Sequence, residues 1–122
     1  MVSEDVRAES TAVVAIADVG QAAFADVFSP GERTYAASKS DPERRLAARL
    51  AAKQAAVAAL GGDLALRDVE VVRGRGGPPR IELSDRGRAR LAEIGGDRVL
   101  VSLTHGREHA AAAVLVLGGP RR

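Results

Sequence analysis

The chain has 122 residues, enough for one domain with a single core, and no cysteine, which excludes a disulfide framework, a thiolate metal site and a thiol nucleophile. Its formal charge of +2 is too small to imply a nucleic-acid partner, and two phenylalanines and one tyrosine are too few for a base-stacking platform. No apolar run approaches a membrane span and the polar, acidic start is not a signal peptide, so a cytoplasmic protein is expected.

Charge is spread unevenly. Six acids accompany one arginine before residue 33, whereas six basic residues accompany two acids between residues 33 and 58. Residues 1–10 read as a disordered leader, 11–117 as one domain and 118–122 as a frayed tail. Thr11 to Ile16 is apolar and β-branched, the pattern of a buried strand. Gln21 to Phe28 reads as a short helix. Ser29 and Glu32 are spaced as a capping box around Pro30, which starts a second helix running to about Ser38.

Pro42 to Gly61 organises the chain. Asp41 offers an N-cap before Pro42, with Ser40 and Glu43 as a competing capping box. Alanine dominates the interior and is the least costly residue to hold helical, and Gly61-Gly62 ends the run. Leu46, Leu50, Val57 and Leu60 recur at core-facing spacing. Arg45, Arg49 and Lys53 fall four residues apart, on one stripe. Such a stripe is either a solvated face or an anion site, where a bound phosphate would relieve the mutual repulsion.

Val69 to Arg73 reads as a strand, Arg75 to Pro79 as a turn and Arg80 to Leu83 as the antiparallel partner. Ser84 or Asp85 caps a helix ending near Gly95, and Asp85, Arg86, Arg88 and Arg90 read as its solvated face. Val99 to Thr104 and Ala110 to Leu117 are apolar strands flanking His105-Gly106-Arg107-Glu108-His109. The pattern is α+β: a small antiparallel sheet packed on a long central helix.

Several pieces together resemble the small bacterial holo-acyl-carrier-protein synthases, a family of 4'-phosphopantetheinyl transferases. They are FSPGE at Phe28 to Glu32, RLAARLAAK at Arg45 to Lys53, DVEVV at Asp68 to Val72, the Gly77-Pro78-Pro79 turn, and VSLTHGREHAAAAV at Val101 to Val114. They follow the family's order and spacing over roughly residues 12–117. The resemblance implies a homotrimer with interfacial active sites, coenzyme A and an acyl carrier protein as substrates, and a magnesium ion bridging the pyrophosphate.

The chain departs from that pattern at its chemistry. Gln54 stands where the family has a glutamate, Ala58 where it has a catalytic lysine, and Ala17 where it has a metal-binding aspartate. Asp18 is one residue away, and on a strand that offset points to the other face. An amide carries no charge to hold Mg²⁺, so no magnesium is expected here. Asp18 would serve as a metal ligand only in the alternative of an active transferase with an atypical site. The helix expected at Gln21 to Phe28 has no Lys or Arg to meet an acidic carrier.

The resemblance retains a binding side: Arg45, Arg49 and Lys53 for phosphates, and Pro79, Ser102, Thr104 and His105 near coenzyme A. His105, His109 and Glu108 are candidates for a new acid–base site. His105 and His109 lie in a strand–turn context, which disfavours a helical metal pair. The expected protein has lost the standard metal site and works in carrier-linked polyketide or fatty-acyl metabolism. It acts on a coenzyme A- or carrier-linked substrate, or alternatively serves as a non-catalytic binding or assembly subunit.

Overall fold

The computed structural model describes residues 4–21, 27–74 and 76–119. Strand β1 (Asp5–Ala15) leads into a 3-10 turn (Ile16–Gln21). Helices α1 (Pro30–Ala37) and α2 (Pro42–Leu60) follow. A second 3-10 turn (Leu66–Asp68) precedes the hairpin of β2 (Val69–Arg73) and β3 (Pro79–Leu83). Helix α3 (Asp85–Glu93), β4 (Arg98–His105) and β5 (His109–Gly118) complete the chain. The strands form two antiparallel sheets, β1-β5-β4 and β2-β3, and the architecture is α+β as expected. The expected helix at Gln21 to Phe28 falls mostly on residues 22–26, outside the described residues.

The expected leader is corrected for residues 5–10. Strand β1 begins at Asp5 and pairs with β5 from Asp5–Gly118 to Ala15–His109, with a bulge between Val6 and Ala8. Ten residues of β5 present backbone groups that need partners, and ordered pairing satisfies them whatever the side chains are. Asp5, Arg7 and Glu9 make this half of the strand polar, so it carries no apolar signal. The tail is corrected likewise at Gly118, which is buried and ends β5.

The three-stranded sheet lies across α2. Ala47, Ala51, Ala52, Ala55 and Ala56 are fully buried, so small side chains let helix and sheet approach closely. Leu46, Leu50 and Leu60 are buried as expected, while Val57 is only half-buried. Val14, Ala110, Ala112, Val114 and Val116 meet them from the inner face of the sheet.

Caps hold the helices. The Ser29–Glu32 capping box forms: Glu32 N–H donates to Ser29 Oγ at 3.1 Å and Ser29 N–H to Glu32 Oε1 at 2.8 Å. Asp41 sits at the N-cap of α2 but makes no capping bond, because its carboxylate accepts from Arg45 Nε at 3.0 Å. Ser84, not Asp85, caps α3 and also donates to Asp68 Oδ1 at 2.7 Å. The expected solvated face of α3 holds at exposed Asp85, Arg86 and Arg88 and is corrected at Arg90, which is half-buried. Arg90 Nε donates to Leu60 O at 2.7 Å and Arg86 Nη2 to Asp63 O at 2.7 Å, stapling α3 to the end of α2 and the loop after it.

Candidate functional site

The stripe on α2 runs from surface to interior. Arg45 is half-exposed, but Arg49 and Lys53 retain only 2% and 1% of their accessible surface, which rules out a solvated face for both. The reason is α1, which packs antiparallel along this side of α2. Three rungs follow along this side, the inner two joining α1 to α2 directly, and their residue numbers sum to nearly the same value, as antiparallel pairing requires.

The innermost rung is Glu32–Lys53. Lys53 Nζ donates to Glu32 Oε1 at 2.8 Å and to Val69 O. Glu32 Oε2 accepts from Val71 N–H at 2.9 Å, and Glu32 is 1% exposed. One α1 cap, one α2 cation and the β2 backbone thus close on one carboxylate. Removing one member of such a pair costs about 3–5 kcal/mol, because the other charge stays buried and uncompensated. Lys53 is therefore occupied within its own chain.

The middle rung is Tyr35–Arg49. The Arg49 guanidinium carbon lies 4.0 Å from the centre of the Tyr35 ring. Arg49 Nε is buried and has no hydrogen-bond partner among the described residues. Burial pushes the guanidinium below its ordinary value; Tyr35 and Glu32 oppose that, while Arg73 and Arg45 add to it. The outer rung is Lys39 and Arg45. Lys39 Nζ lies 5.1 Å from the Tyr35 ring centre, and Arg45 pairs with Asp41.

Arg73, at the end of β2, completes a cleft of about 430 Å³ with Tyr35, Lys39, Arg45, Gly74 and Gly76. The turn is set by Gly77 N–H donating to Gly74 O at 3.2 Å, and Arg73 Nε donates to Gly77 O at 3.2 Å. Lys39 and Arg49 thus stack on one ring, while Lys39, Arg45 and Arg73 line the cleft beside it, with Asp41 the acid paired to Arg45. Such a cluster offers several donors to a phosphate or pyrophosphate. Tyr35, Lys39 and Arg73 were missed in the sequence. The four-residue spacing of Tyr35 and Lys39 was the available signal; Arg73 gave none, since only the fold brings β2 to α1.

A second cleft of about 540 Å³ lies at the N-terminus of α2, lined by Ile16, Ser40, Asp41, Pro42, Glu43, Arg44 and Arg107. Arg45 holds the Asp41 carboxyl below its ordinary range by hydrogen bond and charge, with a smaller contribution from His105. His105 belongs to the inner-face set of β4, with Val99, Val101 and Leu103, which pack towards the core. His109 falls in the outer set of β5, out of phase with buried Ala110, Ala112 and Val114. The pleat therefore places the two histidines on opposite faces, and they do not form one site within the chain. Glu108 is exposed in the turn, where its carbonyl accepts from Ile16 N–H at 2.8 Å.

Ser102 and Thr104 also lie on the outer face, in cross-strand rows with Ala113 and Thr11 and with Ala111 and Val13. Pro79 opens β3, directly across from Arg73. Asp18 and Ala17 are both exposed, and both lie in the 3-10 turn rather than on the strand. The expectation that their offset reverses the face is thus corrected, because successive residues of a 3-10 turn are about 120° apart. Gln54 and Ala58 are exposed one turn apart on α2.

No family model matches the chain. It is 42% identical over 96 residues to a holo-[acyl-carrier-protein] synthase of Moorella thermoacetica, covering 76% of this chain and 75% of that protein. A holo-[acyl-carrier-protein] synthase of Anaeromyxobacter sp. (strain K) is 42% identical over 99 residues, covering 80% and 77%. Among solved structures, the acyl carrier protein synthase of Mycobacterium tuberculosis superposes with a TM-score of 0.76 at 34% identity, over 95% of this chain and 100% of that one. An ACPS–CoA complex from Chronobacterium ammoniagenes gives 0.79 at 28% identity, over 98% and 99%. With these relatives matched over most of both chains, the protein belongs to the holo-[acyl-carrier-protein] synthase family of phosphopantetheinyl transferases.

Proposed function

We propose that this family member keeps the coenzyme A-binding side of the fold, has lost magnesium-dependent transfer, and acts on a coenzyme A- or carrier-linked substrate. The cation cluster around Tyr35 carries the reading. Lys39, Arg45 and Arg73 line the cleft beside the turn leading to Pro79, and buried Arg49 stacks on the Tyr35 ring at its edge. Gathering three cations in one cleft costs mutual repulsion, which a bound anion relieves. A similar structure was solved as a CoA complex.

The residues at the family's metal positions do not fit magnesium. Ala17 presents a methyl group and Gln54 a neutral amide, whereas Mg²⁺ prefers carboxylate oxygen, and Ala58 offers no amine at the position of the family's catalytic lysine. No step is therefore routed through a metal. His105 is the acid–base candidate, since it lies on the inner face with its charge felt by Asp41 at the second cleft. Ser102 and Thr104 face away from the cation cluster, so they would reach coenzyme A bound by a neighbouring copy. A homotrimer supplies that neighbour, and the outer sheet face suits one: Val13 is 66% and Leu100 41% exposed.

Transfer itself is tested by incubating the protein with an apo acyl carrier protein, coenzyme A and magnesium and weighing the carrier by mass spectrometry. The expected result is no added phosphopantetheine, with or without Gln54→Glu and Ala58→Lys. Modification at an enzymatic rate by the unaltered protein overturns the reading. Absence of coenzyme A binding as well as of transfer favours an assembly subunit.

A further inference from the structure

We infer that Lys53 is a positioning residue, acting through Glu32 on the Tyr35–Arg49 contact, and is not itself a ligand for the anion. This rests on the reading of the cleft as an anion site. Three observations carry it. Lys53 Nζ is enclosed, with Glu32 Oε1 at 2.8 Å and Val69 O as partners, and only 1% of the residue is exposed. Glu32 lies one turn before Tyr35 on α1, and Lys53 one turn after Arg49 on α2. The ion pair and the cation–ring contact are therefore adjacent rungs of one ladder.

The inner rung is the best determined of the three. Glu32 accepts from Ser29 N–H, Lys53 and Val71 N–H, so it ties α1 to α2 and to β2 at once. Ser29 Oγ extends the tie by donating to Glu70 Oε2 at 2.6 Å. β2 ends at Arg73, one of the three cations that line the cleft. One buried pair thus fixes the elements that carry Tyr35, Arg45, Arg49 and Arg73. Arg49 Nε is buried without a partner among the described residues, so that nitrogen does not hold the guanidinium in place. Its guanidinium is located by the ring beneath it, and that ring by α1.

Breaking the pair on one side leaves a lone buried charge that draws α1 away from α2 towards water. Removing both charges eliminates that pull. A double-mutant cycle therefore separates positioning from direct contact.

The experiment compares the native protein with Lys53→Met, Glu32→Gln and the double variant. Two readouts are followed well below each unfolding midpoint. The first is inorganic pyrophosphate binding by calorimetry. The second is the near-ultraviolet circular dichroism of ligand-free protein, in which Tyr35 is the only tyrosine and there is no tryptophan. Each single variant should weaken pyrophosphate about tenfold and diminish the tyrosine band, and the double variant should return both to within about threefold of native. Should Lys53→Met or Glu32→Gln fail to fold, Glu32→Asp keeps the charge, shortens the reach by one methylene and should show the same loss.

If Lys53 touches the anion, its loss is not rescued by Glu32→Gln, and the inference is overturned. If the singles, or Glu32→Asp, bind and give the band as the native protein does, the pair is structural only, and the inference is overturned as well. If native protein does not bind pyrophosphate while the band falls and recovers as described, the anion reading fails and the positioning of Tyr35 stands.

Discussion

Arg49 shows how burial changes the expectation for a single side chain. Alanine suits a helix, so helix propensity by itself would let Arg49→Ala spare folding. In the structure the residue is 2% exposed and stacked 4.0 Å above the Tyr35 ring. Truncation removes the stem's packing and the cation–ring contact, so it should cost about 1–3 kcal/mol of stability in urea unfolding, in addition to weakening anion binding. Asp68 makes a second residue-scale prediction. Its carboxylate accepts from Ala65 N–H at 2.8 Å and Ser84 Oγ at 2.7 Å, which hold it below the ordinary value of 3.8, with burial opposing. A carboxyl with a lowered folded-state value contributes fully above pH 3.8 and loses that contribution as the pH falls through the folded value. Asp68→Ala should therefore cost about 1 kcal/mol at neutral pH, by leaving half-buried donors unpaired, and much less in acid. Unfolding curves at pH 7 and near pH 2 check this. Residue types and spacing identified Arg45 and Arg49 as candidates, yet nothing in the sequence showed that Lys53 would be spent on Glu32. That pairing spans 21 positions and exists only once α1 folds back on α2.

At the scale of elements, close approach is the recurrent theme. Helix α2 meets the sheet through alanines, so Ala55→Leu should overpack the interface and cost about 1–3 kcal/mol. β5 passes the end of α3 so closely that a Cβ at Gly118 would fall 1.9 Å from Gly95 O. Gly118→Ala should therefore lower stability by roughly 3 kcal/mol or more, since two backbones must part. Gly20→Ala, with nothing within 4 Å, serves as the control and should be nearly neutral in thermal melts. The helices at Pro30 and Pro42 and the hairpin around Pro79 were legible because caps, proline and glycine act locally. The first half of β1 was not. Its residues alternate Asp5, Val6, Arg7, Ala8 and Glu9, and the order comes from pairing with β5, over a hundred positions away.

For the whole molecule, the pieces expected to meet at one site are divided between two faces. Arg45 and Arg49 gather beside α1, where the fold adds Arg73, whereas Ser102 and Thr104 lie on the outer sheet face with exposed Val13 and Leu100. A single sequence places residues on elements but does not say which copy completes a cleft, and so that division was not legible. If the outer face joins copies, Val13→Glu should convert a trimer to monomer in light scattering and weaken coenzyme A binding, with the fold retained. A native protein that is already monomeric contradicts this. Among the described residues, no helix is long and apolar enough to cross a membrane. The central claim is that the cleft binds coenzyme A through fixed cations rather than through a metal. Calorimetry of coenzyme A with the native protein, in chelator and then in magnesium, tests it most directly. The account predicts saturable binding of the same strength in both, weakened by salt and by Arg45→Ala with Arg73→Ala. Binding that vanishes in chelator and returns with magnesium would contradict it.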